Sequence, residues 1–216
     1  MKAVIFDMDG VLIDTEPLNE SHMVIFLKRH GIDLDVAYLQ QFRGVHAKLI
    51  WTQLIKDFKL KTPLEEIIAD VRKSYLEYLF SLEKLEPNEG VTKFIKDLKK
   101  QNYTLSVASS AYHKRIYKLL NVCNLTKMFD VIVSGDHVEH GKPDPEIYLK
   151  TAQLLKRDPS DCIVFEDATN GVRSAKAAGM KVIGYRGAEH NTQDLSQADT
   201  RINSFTDITP ATLKKF

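Results

Sequence analysis

Apolar residues follow two patterns along the chain, and the change between them divides it into two kinds of segment. The run from Ala3 to Phe6 is wholly apolar and ends at a charged turn, which predicts a buried strand. From Pro17 to about Leu82 the apolar positions recur at helical spacing, and no run in this segment is typical of a strand. Predicted helices lie at about Met23–His30, Lys48–Phe58 and Leu64–Ser81. The segment therefore predicts an all-helical insertion after the first strand.

Beyond Pro87 and Gly90 the pattern changes to an alternation of short apolar runs and amphipathic stretches. It predicts strands at 104–108, 129–133, 163–165 and 181–185, and helices near 91–98, 116–120, 146–155 and 170–178. Such alternation indicates a mostly parallel sheet with helices on both faces, and the apolar first strand belongs to the same sheet. The predicted fold class is α/β, a Rossmann-like sheet domain formed by 1–14 and 83–216, with a helical domain formed by 15–82.

The composition and net charge of the chain indicate which kinds of binding partner to expect. The 216 residues are 44% hydrophobic and 27% charged, with a formal net charge of +1, as in an ordinary globular protein without general attraction to nucleic acid or anionic lipid. No apolar stretch approaches the length of a membrane span, and Asp7 and Asp9 interrupt the first apolar run, so no signal peptide is expected. Cys123 and Cys162 form no CxxC motif and are expected to be reduced thiols. We expect a cytoplasmic monomer with no nucleic-acid or membrane partner.

Polar and charged residues follow the ends of four predicted strands. In open α/β sheets ligands bind beyond the carboxyl ends of the strands, so these residues are expected to converge on one edge. They are Asp7 and Asp9 after the first strand, Ser109 and Ser110 after the second, Lys142 in the loop after the third, and Glu166 and Asp167 after the fourth.

The residue types at this edge indicate a specific chemistry. Several carboxylates at close range repel one another, and a divalent cation that prefers oxygen ligands, such as Mg²⁺, relieves that repulsion. A phosphate ester would supply further oxygen ligands, while Lys142 and Ser109 would complement its other oxygens by charge and hydrogen bonding. Phosphoryl transfer needs mainly positioning and charge neutralisation, which these groups offer.

Each residue alone also has an ordinary structural explanation. Asp9 with Gly10 is a common turn dipeptide, Asp167 suits the start of the following helix, and Lys142 suits an exposed loop. The coincidence of compatible groups on four separate segments favours a functional site.

The same residues carry a resemblance to a known family. Asp7-Met8-Asp9-Gly10-Val11-Leu12 after an apolar strand resembles the first motif of the haloacid-dehalogenase-like hydrolases. Ser109, Lys142 in Gly-Lys-Pro-Asp-Pro, and Glu166-Asp167 follow in the order of the other three motifs. The likeness covers the whole chain and is greatest to the β-phosphoglucomutase-like subgroup and its sugar-phosphate phosphatases, where the helical insertion forms a cap domain.

The resemblance implies a role for each motif residue. Asp7 is the nucleophile that becomes an aspartyl phosphate, and Asp9 is the general acid and base. Ser109 and Lys142 bind the transferring phosphoryl group, and the Lys142–Pro143 peptide bond is a candidate for the cis form. The implied metal ligands for Mg²⁺ are Asp7, Asp9 through its carbonyl, Glu166 directly or through water, and Asp167.

Substrate contacts are less specific in the sequence. Arg43 in the cap segment, Ser110 and His113 are candidate substrate-binding residues, although Arg43 also suits a surface salt bridge and His113 a helix start. Asn19 and Ala47 stand where the resembling mutases carry a histidine and a second-phosphate-binding arginine. Both departures favour a phosphatase.

The motifs and the resemblance together predict a phosphoric monoester hydrolase that uses Mg²⁺ and an aspartyl-phosphate intermediate. The expected substrate is a small phosphorylated metabolite of the sugar-phosphate class. A phosphohexomutase of the β-phosphoglucomutase type, using the same nucleophile, stays open as an alternative. A phospho-accepting signalling domain, a haloacid dehalogenase and a catalytically silent binding protein are weaker alternatives.

Overall fold

The computed structural model describes residues 3–42, 47–187 and 191–215. The chain divides into two compact units, one formed by the residues up to Asp14 together with those from Lys84 onward, the other by Thr15–Glu83. The second unit ends one residue later than the helical domain drawn from the sequence.

The Thr15–Glu83 unit is helical. Its helices are α1 (Glu16–Arg29), α2 (Val36–Gln40), α3 (Ala47–Phe58) and α4 (Leu64–Ser81). Burial of the apolar faces of these helices stabilises the unit, and the buried residues of that core are Phe26, Leu27, Leu39, Trp51, Leu54 and Ile67.

The other unit contains a parallel sheet. Its strands are β1 (Ala3–Phe6), β2 (Thr104–Ser109), β3 (Val131–Ser134), β4 (Cys162–Glu166), β5 (Lys181–Tyr185) and β6 (Thr200–Ile202). They lie in the order β3-β2-β1-β4-β5-β6, and every neighbouring pair is parallel. The order reverses at β1, so β2 and β4 flank it and their carboxyl ends meet there. This is the switch point at which ligands bind in such sheets.

Helices cover both faces of this sheet. They are α5 (Val91–Lys100), α6 (His113–Val122), α7 (Glu146–Leu155) and α8 (Thr169–Ala177). Ile5 of β1 packs in one cluster with buried residues of α7 and α8. Phe6, which points to the opposite face, stacks on Phe165 of β4 at 5.1 Å between ring centroids and contacts Phe94 of α5 edge-on at 6.5 Å. The architecture is therefore the Rossmann-like α/β fold that the alternating pattern predicts.

Most predicted elements are found, with small shifts at their ends. The strand expected at 129–133 begins only at Val131. Asp130, just before it, contacts Leu105 of β2 through both its backbone N–H and its carboxylate, each at 2.8 Å. The five-residue helix α2 and the three-residue strand β6 were not predicted, since both are too short to show a periodicity. In the part of the chain that is described, no helix combines the length and apolarity needed to span a membrane.

Candidate active site

The first motif follows β1 directly and is fixed to its neighbours by backbone contacts. The Asp7 N–H donates to the Phe165 carbonyl of β4 at 3.0 Å, which continues the strand pairing by one residue. Asn88 then holds the turn that follows, since its amide donates to the carbonyls of Gly10 and Val11 at 2.8 and 2.9 Å. The Asp7 side chain is thus presented from a turn anchored on both sides.

Lys142 joins two of the predicted carboxylates. Its Nζ lies 2.6 Å from Asp7 Oδ1 and 2.6 Å from Glu166 Oε1, and it also donates to the Ala108 carbonyl at 3.3 Å. The side chains of Asp7, Lys142 and Glu166 are only 10%, 9% and 1% exposed. In the part of the chain described, these three groups form a buried charge network with one positive and two negative charges. The Lys142–Pro143 peptide bond that positions the lysine is cis, as predicted.

Glu166 is held from three sides, and this determines where Lys142 can lie. The Tyr148 hydroxyl donates to Glu166 Oε1 at 2.7 Å, and the Ala168 N–H donates to Oε2 at 3.1 Å. A Cβ on Gly171 would lie 1.8 Å from Glu166 Oε1, so only glycine lets α8 approach this carboxylate. Because both of its oxygens accept hydrogen bonds from protein groups, Glu166 is fixed in place and orients Lys142 here.

Burial and neighbouring negative charges disfavour the ionised form of the carboxylates at this site. Burial raises the pKa of Asp7 to about 7, with Glu166 and Asp9 adding to the rise and Lys142 opposing it. Burial raises the pKa of Asp167 well above its usual range, and the charges of Glu166 and Asp7 raise it further. The pKa of Lys142 is raised well above its ordinary value by Asp7 and Glu166, although its burial acts in the opposite direction. The site therefore carries excess negative charge.

Asp167 lies against the first motif. A Cβ on Gly10 would be 2.0 Å from Asp167 Oδ2, and Gly10 has a φ of +80°, so glycine is required both for the turn and for this approach. Asn191 anchors the other side of the loop through its amide, which donates to the Asp167 carbonyl at 3.1 Å. Asp167 therefore lies against the turn that follows Asp7, near enough for the Asp7 charge to raise its pKa.

These carboxylates suit an open cation site. Within the described ranges, no group of three or more His, Cys, Asp or Glu side chains is placed to hold a metal ion. Magnesium commonly takes only one or two protein carboxylates and completes its shell with water and substrate phosphate. The mutual repulsion of Asp7 and Asp167 is the condition that such a cation relieves, so these two residues fit it.

In the part of the chain that is described, Ser109, Ser110 and His113 lie outside the hydrogen-bonded network of Asp7, Lys142 and Glu166. Ser109 is buried at the end of β2, and its Oγ accepts the Ala111 N–H at 3.1 Å. Ser110 and His113 are exposed. His113 begins α6, where its N–H donates to Asp136 Oδ2 at 2.7 Å and its ring lies 4.3 Å from that of Tyr117.

Arg43 and Asp9 are the last two of the predicted site residues. Arg43 lies outside the described residues. Asp9 is described, and its carboxylate is engaged by a residue that the sequence analysis did not select: Arg115 of α6 donates from both terminal nitrogens to both oxygens of Asp9, at 2.7 and 2.6 Å. No motif marks Arg115, since it is one basic residue on a helix face. Only the distance between α6 and the first turn reveals it.

Comparison with known proteins agrees with this arrangement. The family model described as haloacid dehalogenase-like hydrolase matches residues 4–185. A phosphorylated carbohydrates phosphatase of Thermotoga maritima is 36% identical over 194 residues, 90% of this chain and 88% of the relative. Hexitol phosphatase B of Escherichia coli is 29% identical over 210 residues, 96% of this chain and 94% of the relative.

A solved structure extends the likeness to three dimensions. A Thermotoga maritima protein described as a candidate β-phosphoglucomutase superposes with a TM-score of 0.83 and 31% identity, covering 100% of this chain and 99% of that one. The match of family model, sequence and fold over nearly the full length places the chain among the haloacid dehalogenase-like hydrolases, as an enzyme of the phosphoric monoester hydrolase class.

Proposed function

We propose that this chain is a magnesium-dependent phosphatase that hydrolyses a small sugar phosphate through a phosphorylated Asp7. The observation that carries the proposal is the buried network in which Lys142 lies 2.6 Å from Asp7 while the charge of Asp7 raises the pKa of Asp167. A lysine that neutralises a buried carboxylate keeps it available as a nucleophile, and it also attracts the phosphoryl oxygens.

In the first step, an Asp7 oxygen attacks the phosphorus atom in line with the leaving oxygen. The new bond joins Asp7 to phosphorus, the bond from phosphorus to the sugar oxygen breaks, and the leaving oxygen takes a proton from Asp9. Lys142 balances the charge of the transferring group, and Ser109 hydrogen-bonds one of its oxygens. The products are the free sugar and an aspartyl phosphate.

In the second step, water attacks the same phosphorus. Asp9, now a carboxylate, takes the proton of the water, and the bond between phosphorus and Asp7 breaks. Inorganic phosphate leaves, Asp7 is again a carboxylate, and Asp9 again carries its proton. One water is consumed, so the sequence is balanced.

The cation would be held by Asp7 and Asp167, with the Asp9 carbonyl as the further protein ligand implied by the first motif. When bound, Mg²⁺ neutralises negative charge on the phosphoryl oxygens and on the two carboxylates. Glu166 contributes by fixing Lys142, which agrees with its three hydrogen bonds from protein groups.

The proposed substrate class is taken from two relatives, which are named a phosphorylated carbohydrates phosphatase and a hexitol phosphatase. The helical unit is proposed as the cap domain that selects the sugar, with Arg43 as its candidate contact. Asn19 and Ala47 favour phosphatase over mutase activity. The cytoplasmic location and the monomeric state expected from the sequence belong to the same proposal.

The test is phosphate release from a panel of sugar and hexitol phosphates, with Mg²⁺ and with EDTA, by wild type and Asp7→Asn. We expect release that requires Mg²⁺ and falls by about 10³-fold or more in the variant. A coupled assay on β-glucose 1-phosphate separates the mutase, which would produce the isomer instead of free phosphate. Release that survives either EDTA or Asp7→Asn contradicts the proposal.

A further inference from the structure

Arg115 makes a bidentate contact with Asp9, and none of the four motifs includes it. The two terminal nitrogens of Arg115 donate to the two oxygens of Asp9 at 2.7 and 2.6 Å, across a sequence separation of 106 residues. The side chain of Arg115 is 13% exposed and that of Asp9 is 32% exposed. An isolated surface ion pair contributes little, but a bidentate pair with a largely buried guanidinium fixes the plane of the carboxylate.

The guanidinium itself is carried by a rigid element. The helix α6 is packed into the core through Ile116, Leu119 and Leu120, all fully buried. Its first turn is tied to the loop after β3 by the hydrogen bond from the His113 N–H to Asp136. Asp9 lies in the turn after β1, next to Gly10, whose carbonyl accepts a hydrogen bond from Asn88. The guanidinium of Arg115 is therefore held by a helix packed into the core, and it contacts the Asp9 carboxylate from outside the first motif.

The role of Asp9 makes this orientation consequential. A general acid or base must be within hydrogen-bond reach of the proton that it transfers, and a displacement of about 1 Å lowers the rate by about 100-fold. When one oxygen of Asp9 carries or collects a proton, the other can keep its hydrogen bond to the guanidinium. A planar donor pair thus holds the carboxyl group through both steps, which the single point charge of a lysine does less well.

We propose that Arg115 is a positioning residue that orients Asp9 for proton transfer. The inference rests on the proposed function, because it assigns Arg115 to a step of that reaction. Proton transfer is needed when a sugar oxygen leaves and when water attacks the aspartyl phosphate. It is not needed when p-nitrophenolate leaves, since this anion is stable without a proton. Removal of the guanidinium should therefore affect some steps and spare one.

The experiment compares wild type, Arg115→Gln and the matched control Arg173→Gln, which removes an exposed arginine of α8. With p-nitrophenyl phosphate and Mg²⁺, rapid mixing follows p-nitrophenolate release, and acid quenching measures phosphorylated enzyme. We expect Arg115→Gln to release about one equivalent per site at a rate within about threefold of the wild-type first turnover. Its steady-state turnover should fall about 10- to 100-fold while phosphoenzyme accumulates.

With the best sugar phosphate of the panel, kcat of Arg115→Gln should fall by a similar factor and KM should stay within about threefold. Arg115→Lys should give an intermediate turnover, and it replaces Arg115→Gln if that variant does not fold. A slow first turnover together with a raised KM would overturn the inference in favour of direct phosphate binding, and unchanged turnover would overturn it outright. A wild type that releases no phosphate from any substrate overturns the proposed function itself, whereas an active wild type with an unaffected variant overturns only the role of Arg115.

Discussion

Replacing Lys142 by methionine tests whether the buried charge network is balanced as described. The change removes the ammonium that lies 2.6 Å from both Asp7 and Glu166 and leaves an apolar chain of similar length. Two carboxylates then remain buried without their counter-charge. Breaking a buried ion pair by removing one partner costs about 3–5 kcal/mol of unfolding free energy. For a chain of this size that corresponds to a fall in Tm of about 6–20 °C.

The pH dependence of this loss follows from Asp7. Its pKa in the folded protein is about 7, above the ordinary 3.8, so the folded state binds the proton more tightly than the unfolded state. The folded state therefore gains stability as the pH falls from about 7 towards 3.8, because Asp7 becomes neutral. Without Lys142 the pKa of Asp7 rises further, so the loss of unfolding free energy should be smaller at pH 5.5, where Asp7 is protonated, than at pH 8.

The assay is urea unfolding of wild type and variant at pH 5.5 and pH 8, in EDTA so that no cation compensates for the lost charge. Lys96→Met, which removes an exposed lysine from α5, serves as the matched control and should change the unfolding free energy by less than about 0.5 kcal/mol. A loss below about 1 kcal/mol for Lys142→Met at pH 8, or an equal loss at both pH values, would refute the reasoning.

Two further changes test the parts that surround the network. Gly10→Ala should raise the Mg²⁺ concentration needed for half-maximal activity by about tenfold or more, because its Cβ would lie 2.0 Å from Asp167 Oδ2. Gly179→Ala, with a similar φ of +78° and nothing within 4 Å, is the control, and equal effects of the two would contradict the prediction. Tyr148→Phe should cost about 1–2 kcal/mol in urea unfolding, since Glu166 loses a buried donor at 2.7 Å, and an unchanged midpoint would show that this hydrogen bond is not needed.

The fold was largely predictable because its signals are local. Apolar runs such as Ala3–Phe6 and the strand–helix alternation after Gly90 identify a parallel sheet, and the carboxyl-end rule then selects the edge at which ligands bind. The short elements α2 and β6 were not predicted, because segments of five and three residues are too short to show a periodicity of apolar positions.

The site was predictable only as far as strand ends determine it. The carboxyl-end rule predicted that Asp7 and Lys142 lie at the same edge of the sheet, but it did not identify Tyr148 as a partner of Glu166. The hydroxyl of Tyr148 reaches Glu166 from α7, and Arg115 reaches Asp9 from α6, at sequence separations of 18 and 106 residues. Such contacts depend on how a helix face is rotated against the sheet, which periodicity does not specify to the level of single atoms.

The central claim, that Asp7 is the residue phosphorylated during turnover, is tested most directly by chemical trapping. Enzyme quenched during turnover of a sugar phosphate is treated with borohydride, which reduces an acyl phosphate to an alcohol, and its peptides are analysed by mass spectrometry. We predict homoserine in place of Asp7, in wild type only when substrate and Mg²⁺ are both present. Reduction at Asp9 or Asp167, or an unmodified Asp7 in an enzyme that is turning over, would contradict it.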